Sequence, residues 1–173
     1  MEKYEAITLF LLEQISDLSQ TKWNKLLFFI DGATRSVGNQ VTDLKYIKLP
    51  YGPVPFDYSG KIQAMYYKGF ISIQSPGGFL DSKLFIIKPD KFEEKLDQAK
   101  RTITDQNHQK IIDKVFQVFK NWNANQLSDF SHELDAWKIP NMYSDIDLDT
   151  LKSDTYLKQK YKEENFGRLL LSQ

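Results

Sequence analysis

Residues 23–37 read WNKLLFFIDGATRSV and form the most informative stretch of the sequence. Apolar and small residues recur there at steps of three and four, which places them on one face of an α-helix; they are Trp23, Leu26, Leu27, Ile30, Ala33, Thr34 and Val37. Phe28 and Phe29 widen this face until little of the helix is left for water. The pattern predicts a central buried helix that is capped by Thr21 and stopped by Gly38, which tolerates a positive φ.

Further helices are predicted on both sides of this stretch. An amphipathic pattern covers about Tyr4–Leu18, with a stripe formed by Ile7, Leu11, Ile15 and Leu18. Downstream, apolar spacing together with start and stop residues predicts four more helices: about Phe56–Lys68, a short helix towards Leu96 opened by Asp90 and Glu93 as a capping box, about Asp105–Trp122, and roughly Gln126–Leu134.

Between the helices lie segments with strand-like residues. Val41–Pro55 is predicted to be extended because its prolines exclude a regular helix, and Lys45–Leu49 within it is strand-like. Phe70–Ile73 and Leu84–Ile87 flank Pro76-Gly77-Gly78, which predicts a β-hairpin.

The expected fold class is α+β and predominantly helical. We expect a single domain with a central buried helix and a small β-hairpin over about Phe70–Ile87. Residues 1–140 form the body of this domain. Residues 141–173 are predicted to be an acidic loop and an amphipathic helix, carrying Tyr156 and Tyr161, that pack on the same domain.

The composition excludes several classes of function. Lys plus Arg equals Asp plus Glu at 23 each, so the chain lacks the basic excess with which nucleic-acid binders neutralise phosphates. Cysteine is absent, which excludes disulfides, thiolate zinc sites and a cysteine nucleophile. No apolar run approaches the roughly 20 residues of a membrane span, and Met1–Tyr4 lacks the features of a signal peptide. We predict a cytoplasmic protein without direct contact to membranes or nucleic acid.

Motifs for cofactors and metals are also missing. His108 and His132 belong to different predicted helices and form no His-x-x-x-His pair, and glycine-rich phosphate loops are absent. Asp145, Asp147 and Asp149 alternate as in a calcium loop, but that loop's required Gly and Glu do not follow at their positions. We therefore predict no cofactor, no metal, and a solvated acidic loop.

The proline-rich stretch Leu49–Pro55 allows two interpretations. Prolines restrict the unfolded chain, so a rigid aromatic among them needs little ordering to contact a partner. Alternatively, the stretch is a stiff crossover that packs Tyr51 and Val54 on the core. The residues by themselves favour the crossover.

Three motifs resemble those of one family. Lys25 followed by Leu26–Gly32 resembles the Lys-Leu-Leu-Tyr/Phe-Phe segment that opens the SocA-like, or Panacea, antitoxin domain, also called GepA-like. Lys48–Pro55 is similar to its Tyr-Gly-Pro-Val signature. Leu127–His132, followed by Trp137, is similar to its Leu-Ser-x-x-Thr/Ser-His helix and trailing Trp. The three motifs occur in the family's order.

The resemblance covers about Thr21–Trp137 and departs from the family pattern at two positions. Ala136 stands where Pro usually precedes the Trp, and Leu134 stands where an acidic residue is common. The resemblance implies a non-enzymatic antitoxin that binds and neutralises a toxin encoded beside it. One branch of the family is implied to deliver its toxin to a protease instead, and the family is often carried on phages.

We predict that the segments Tyr51–Phe56 and Ser131–Trp137 lie near each other and bind the partner. Both contain aromatic residues held by local constraints, and such residues lose little entropy when they bind. The predicted contact residues are Tyr51, Pro53, Phe56, His132 and Trp137.

A hydrolase is the alternative from another class. It would use His132 with Asp129 or Glu133 as the carboxylate. Asp129 lies three residues before His132, so the two side chains can meet on a helix. No serine or threonine is assigned as its nucleophile.

Overall fold

A computed structural model describes residues 1–75, 77, 84–154 and 156. Its helices are α1 (Lys3–Gln14), α2 (Gln20–Val37), α3 (Tyr58–Tyr67), α4 (Phe92–Thr102), α5 (Gln106–Phe119), α6 (Ala124–Glu133), α7 (Asp135–Lys138) and a 3-10 helix (Leu148–Lys152). Its strands are β1 (Asp17–Ser19), β2 (Tyr46–Leu49), β3 (Gly52–Pro55), β4 (Ser72–Gln74), β5 (Phe85–Ile87) and β6 (Asp145–Ile146). The fold is α+β and predominantly helical, as predicted.

Helix α2 is central and buried over Trp23–Thr34, which confirms the prediction for these residues; Val37, which was predicted to lie on the same buried face, is 43% exposed. Leu26, Leu27 and Ile30 have 0% exposed area. The ring of Phe29 stacks on Phe119 of α5 at a centroid distance of 4.6 Å and packs against Phe130 of α6. The core is therefore assembled around α2 by helices that lie almost a hundred residues away in the chain.

Both predicted ends of α2 need correction. The N-terminal cap is Ser19, whose Oγ accepts from the backbone NH of Lys22, and Thr21 lies inside the helix. Gly38 does follow the last helical residue, but its φ of 163° is extended backbone. The stop therefore needs no left-handed conformation.

The first helix ends earlier than predicted, at Gln14. Residues 17–19 form strand β1, which pairs antiparallel with β5 and places Leu18 opposite Ile86. Leu18 is buried as expected, but it reaches the core from a strand. Helical spacing cannot reveal this, because the backbone partner of β1 is supplied by residues 85–87.

The predicted hairpin is present as β4 and β5, in a sheet ordered β1-β5-β4. Most of its connecting loop lies outside the described residues. A second sheet has the order β3-β2-β6. Its strand β3 contains Pro53 and Pro55, which an edge strand tolerates because its outer NH groups are not needed for pairing.

The later helices are present with shifted ends. Helix α4 begins after Lys91 and has no side-chain cap, so the Asp90–Glu93 capping box is wrong, and the helix continues to Thr102. Asp105 caps α5 by accepting from two backbone NH groups. Asn123 and Gln126 form a capping box at α6.

The acidic segment is more ordered than a solvated loop. Asp149 accepts two hydrogen bonds from Arg35, at 2.8 and 2.7 Å, and pairs with Lys152 at 2.9 Å. These cations hold the pKa of its carboxyl well below the ordinary value. Leu148 and Leu151 are buried. The 3-10 helix thus packs on α2, whereas the helix predicted around Tyr156 and Tyr161 falls almost entirely outside the described residues.

One acidic side chain of α2 is buried among hydroxyl and amide groups. Asp31 accepts from Tyr46 Oη at 2.7 Å, from the backbone NH of Thr42 at 3.0 Å, from Gln40 Nε2 at 3.1 Å and from Thr42 Oγ1. Burial raises the pKa of this carboxyl. The cluster ties α2 to the segment that leads into β2.

Candidate partner-binding site

The turn between β2 and β3 presents one exposed aromatic side chain. The β2–β3 turn comprises residues 49–53 and lies at the end of the second sheet. Tyr51 at its tip is 78% exposed. Gly52 follows with a φ of 96°, a backbone conformation that side-chain-bearing residues rarely adopt.

Three side chains from three helices bind alternate carbonyl groups of this turn. Trp137 Nε1 donates to the Leu49 carbonyl at 3.2 Å, Ser128 Oγ donates to the Tyr51 carbonyl at 2.9 Å, and Lys25 Nζ donates to the Pro53 carbonyl at 3.0 Å. The donors come from α7, α6 and α2 respectively. The backbone on both sides of Tyr51 is therefore fixed, while its ring is exposed to solvent.

Lys25 lies buried beneath the turn. Its side chain is 1% exposed, and it forms no ion pair with a carboxylate among the described residues. Burial lowers the pKa of Lys25 to about 7. A Cβ atom on Gly52 would meet Lys25 Nζ and would lie 2.5 Å from Ser131 Oγ. Glycine at position 52 is thus favoured by its φ, and any side chain there would force Lys25 Nζ or Ser131 Oγ to shift.

A second buried lysine holds the chain that follows α7. Lys48 Nζ donates to the carbonyl of Pro140 at 2.8 Å and lies 4.4 Å from the centroid of the Trp137 ring. The other side of this cluster is formed by His132, whose ring stacks on Trp137 at 4.1 Å. The tryptophan therefore connects β2, α6 and the segment after α7.

His132 is placed for packing more than for proton transfer. Its Nε2 atom is buried and has no hydrogen-bond partner among the described residues. Burial lowers the pKa of His132, the Lys25 cation lowers it further, and Asp129 and Glu133 oppose the shift. Glu133 instead pairs with Lys138 at 2.8 Å. In the described part of the chain, neither carboxylate forms the hydrogen bond to His132 that the hydrolase alternative needs.

The two predicted binding segments do lie together. The bonds from Ser128 and Trp137 to the turn bring Tyr51–Phe56 against the end of α6 and α7. Tyr51 and Phe56 are exposed, His132 and Trp137 are half-buried, and Pro53 is buried. Their contact with a partner stays a prediction.

The crossover interpretation of the proline-rich stretch is right for Val54 and wrong for Tyr51. Val54 is buried as a crossover residue would be, whereas Tyr51 is exposed to solvent, and its contact with a partner stays a prediction. Sequence reasoning did not assign Lys25, Lys48 and Ser128 as supports of the turn. The one available signal was a lysine inside an otherwise apolar helix face.

The described residues contain no group of three or more His, Asp or Glu side chains arranged to hold a metal ion. Within them, every helix is too short or too polar to span a bilayer.

The fold is thus mainly helical α+β and carries a turn with an exposed tyrosine whose backbone carbonyls are bound by three helices. The family model described as antitoxin SocA-like, Panacea domain, matches residues 23–138. The chain belongs to this family, and its role is antitoxin-like. No curated protein and no solved structure matches the chain.

Proposed function

We propose that this protein is the antitoxin of a type II toxin–antitoxin system and neutralises its toxin by direct binding in the cytoplasm. The observation that carries the proposal is the exposed Tyr51 on a turn whose carbonyls are bound by three helices. Membership of the SocA-like family supports the antitoxin role.

The physical argument is preorganisation. Binding requires that loops and side chains become ordered, and this cost is reduced when the backbone is already fixed. Tyrosine buries a large area with few rotatable bonds, and it is enriched among residues that dominate binding energy. Pro53 is buried, so its part is to position Tyr51, while Tyr51 and Phe56 contact the toxin directly.

Co-expression with the neighbouring reading frame tests the function. The neighbour's product should stop growth when produced alone, and this chain should restore growth and co-purify with it. Toxin that disappears from the cell instead would point to delivery to a protease. A toxic neighbour that is neither bound nor neutralised would contradict the proposal.

Tyr51→Ala is expected to weaken toxin binding without changing the melting temperature. The expected loss is at least about tenfold in Kd, because a central aromatic contact is worth about 2 kcal/mol or more, and no core contact of Tyr51 is removed. Titration calorimetry and thermal unfolding measure the two quantities. Tyr67→Ala is the matched control, since Tyr67 of α3 is similarly exposed at 76%.

His132→Ala and Trp137→Ala distinguish residues that contact the toxin from residues that stabilise the fold. Trp137→Ala should lower both stability and affinity, because it removes the donor to Leu49 and the ring beneath Lys48. His132→Ala should lower affinity more than stability. If Tyr51→Ala leaves Kd unchanged while Trp137→Ala lowers only the melting temperature, these residues build the fold and the toxin binds elsewhere.

A further inference from the structure

The segment after α7 carries a second group of exposed apolar side chains. Ile139 and Tyr143 are 70% and 72% exposed, and Met142 is also exposed. Tyr143 has a φ of 67°, a left-handed conformation that is unfavourable for an aromatic residue. Such strain persists only where the surrounding structure enforces it, and it is concentrated at functional sites.

Hydrogen bonds to β2 enforce this conformation. The backbone NH of Tyr143 donates to the Lys48 carbonyl at 2.9 Å, and the backbone NH of Lys48 donates to the Ser144 carbonyl at 3.0 Å. The Lys48 side chain also contacts this segment, because its Nζ atom donates to the Pro140 carbonyl. The loop formed by residues 139–143 is thus fixed to the end of β2, the strand that leads into Tyr51.

The turn and the loop therefore form one surface. Lys48 holds the loop, and the next residue, Leu49, opens the β2–β3 turn and is bound by Trp137. We call this the turn–loop surface; it comprises Tyr51, Ile139, Met142 and Tyr143. Ile139, Met142 and Tyr143 lie outside the segment that the family model matches.

One exposed carboxylate near the turn, that of Asp129, is not paired with a cation in the part of the chain that the structure describes. Lys25 and Lys48 are buried, and the amino group of each donates to a carbonyl. Lys138 at the rim is neutralised by Glu133. Asp129 is exposed, follows the Ser128 that binds the Tyr51 backbone, and enters no ion pair among the described residues.

We propose that the turn–loop surface recognises a basic segment with apolar residues on the protein partner. An arginine or lysine of that segment lies against the Tyr51 ring and pairs with Asp129, and its apolar neighbours cover Ile139, Met142 and Tyr143. A tyrosine face attracts cations, and a carboxylate beside it adds a charge-assisted hydrogen bond. This proposal rests on the proposed function in one respect, namely that the protein partner is the toxin.

Peptides test this chemistry without the toxin. Three fluorescein-labelled peptides would share a central Trp-Leu-Trp core and differ only in their flanking residues, which are arginine, serine or glutamate. Fluorescence anisotropy with the full chain should rank them Arg, Ser, Glu, with the Arg peptide bound about tenfold more tightly than the Ser peptide. Added salt should reduce this difference, because the carboxylate is exposed.

Variants assign the effect to this surface. Tyr51→Ala and Asp129→Asn should each weaken the Arg peptide about three- to tenfold, whereas Tyr67→Ala and Asp43→Asn, both at exposed positions elsewhere, should not. Met142→Ser should weaken the Arg and Ser peptides alike. Equal binding of all peptides, tightest binding of the Glu peptide, or equal loss in the control variants would each overturn the proposal.

The two proposals fail separately. If the Arg peptide shows the expected pattern but the chain does not neutralise the neighbouring toxin, the recognition chemistry stands and the proposed function fails. If the chain neutralises the toxin while the peptides show no preference for arginine, the function stands and this inference fails.

Discussion

Gly52→Ala is expected to lower the free energy of unfolding by about 2–5 kcal/mol, the sum of a left-handed backbone cost of about 1–2 kcal/mol and an overpacking cost of about 1–3 kcal/mol. The first cost arises because φ is 96° at this position. The second arises because the new methyl group would collide with Lys25 Nζ and Ser131 Oγ, both buried. Urea denaturation measures the total.

Two other glycines separate these costs. Gly69 has a φ of 70° with open space around it, so Gly69→Ala should show only the backbone cost. Gly38 has an extended φ and equally open space, so Gly38→Ala should be nearly neutral. In Gly52→Ala/Ser131→Ala, part of the loss should be recovered because one colliding atom is gone. A Gly52→Ala variant no less stable than Gly69→Ala would mean that the turn does not pack as described.

Lys25 should make stability rise with pH, and Lys25→Met should abolish this rise. The folded-state pKa of Lys25 is about 7, against 10.5 for the free side chain. Between these values the unfolded chain binds one more proton than the folded chain, so the free energy of unfolding increases with pH. The penalty for the buried charge is thus present below about pH 7 and is relieved as the pH rises towards 10.5.

The expected rise is about 5 kcal/mol across this window, since the two pKa values differ by about 3.5 and one pKa unit corresponds to about 1.4 kcal/mol. It is read as the difference between the unfolding free energies of the wild type and of Lys25→Met at a series of pH values. Subtraction removes the titration of Tyr4 and Tyr46, whose pKa values burial raises in both proteins. Lys114→Met, at an exposed position, is the control. Parallel curves for wild type and Lys25→Met would show that the ammonium is solvated.

Gly52→Ala and Lys25→Met both change the contact between the β2–β3 turn and α2. Gly52→Ala pushes the turn away from Lys25, whereas Lys25→Met leaves the turn in place but removes its donor to Pro53. If the rigid turn is what the toxin recognises, both should weaken toxin binding more than either Gly69→Ala or Lys114→Met.

Local sequence signals predicted most elements correctly. The run from Trp23 to Ile30 leaves little of the helix surface for solvent, so a helix there must be surrounded by the rest of the chain. The strand pair around residues 72–87 was predictable because two β-branched runs flank proline and glycine. Errors arose where a local signal has two structural solutions: Leu18 suits a helical stripe and a buried strand equally well, and Ser19 and Thr21 are both good caps.

The binding site was less predictable, because its parts are distant in the sequence. Motif resemblance identified Tyr51, His132 and Trp137 as a group. It did not indicate that a lysine of α2 binds a carbonyl 28 residues later, or that Ser128 reaches back 77 residues to Tyr51. The apolar loop at Ile139–Tyr143 carries no motif, and only its attachment to β2 places it beside the turn.

Hydrophobic periodicity, proline and glycine positions and the family motifs are local properties, and they were sufficient for the fold class, the buried α2 and the extended proline-rich stretch. Tertiary structure decided which side chains became partners. Asp149 is paired with Arg35 across 114 residues, and Tyr51 is exposed while Val54 is buried. The physical reason is that a hydrogen bond or an ion pair depends on distances of a few ångströms between atoms, and only chain folding brings residues so far apart in sequence within that range.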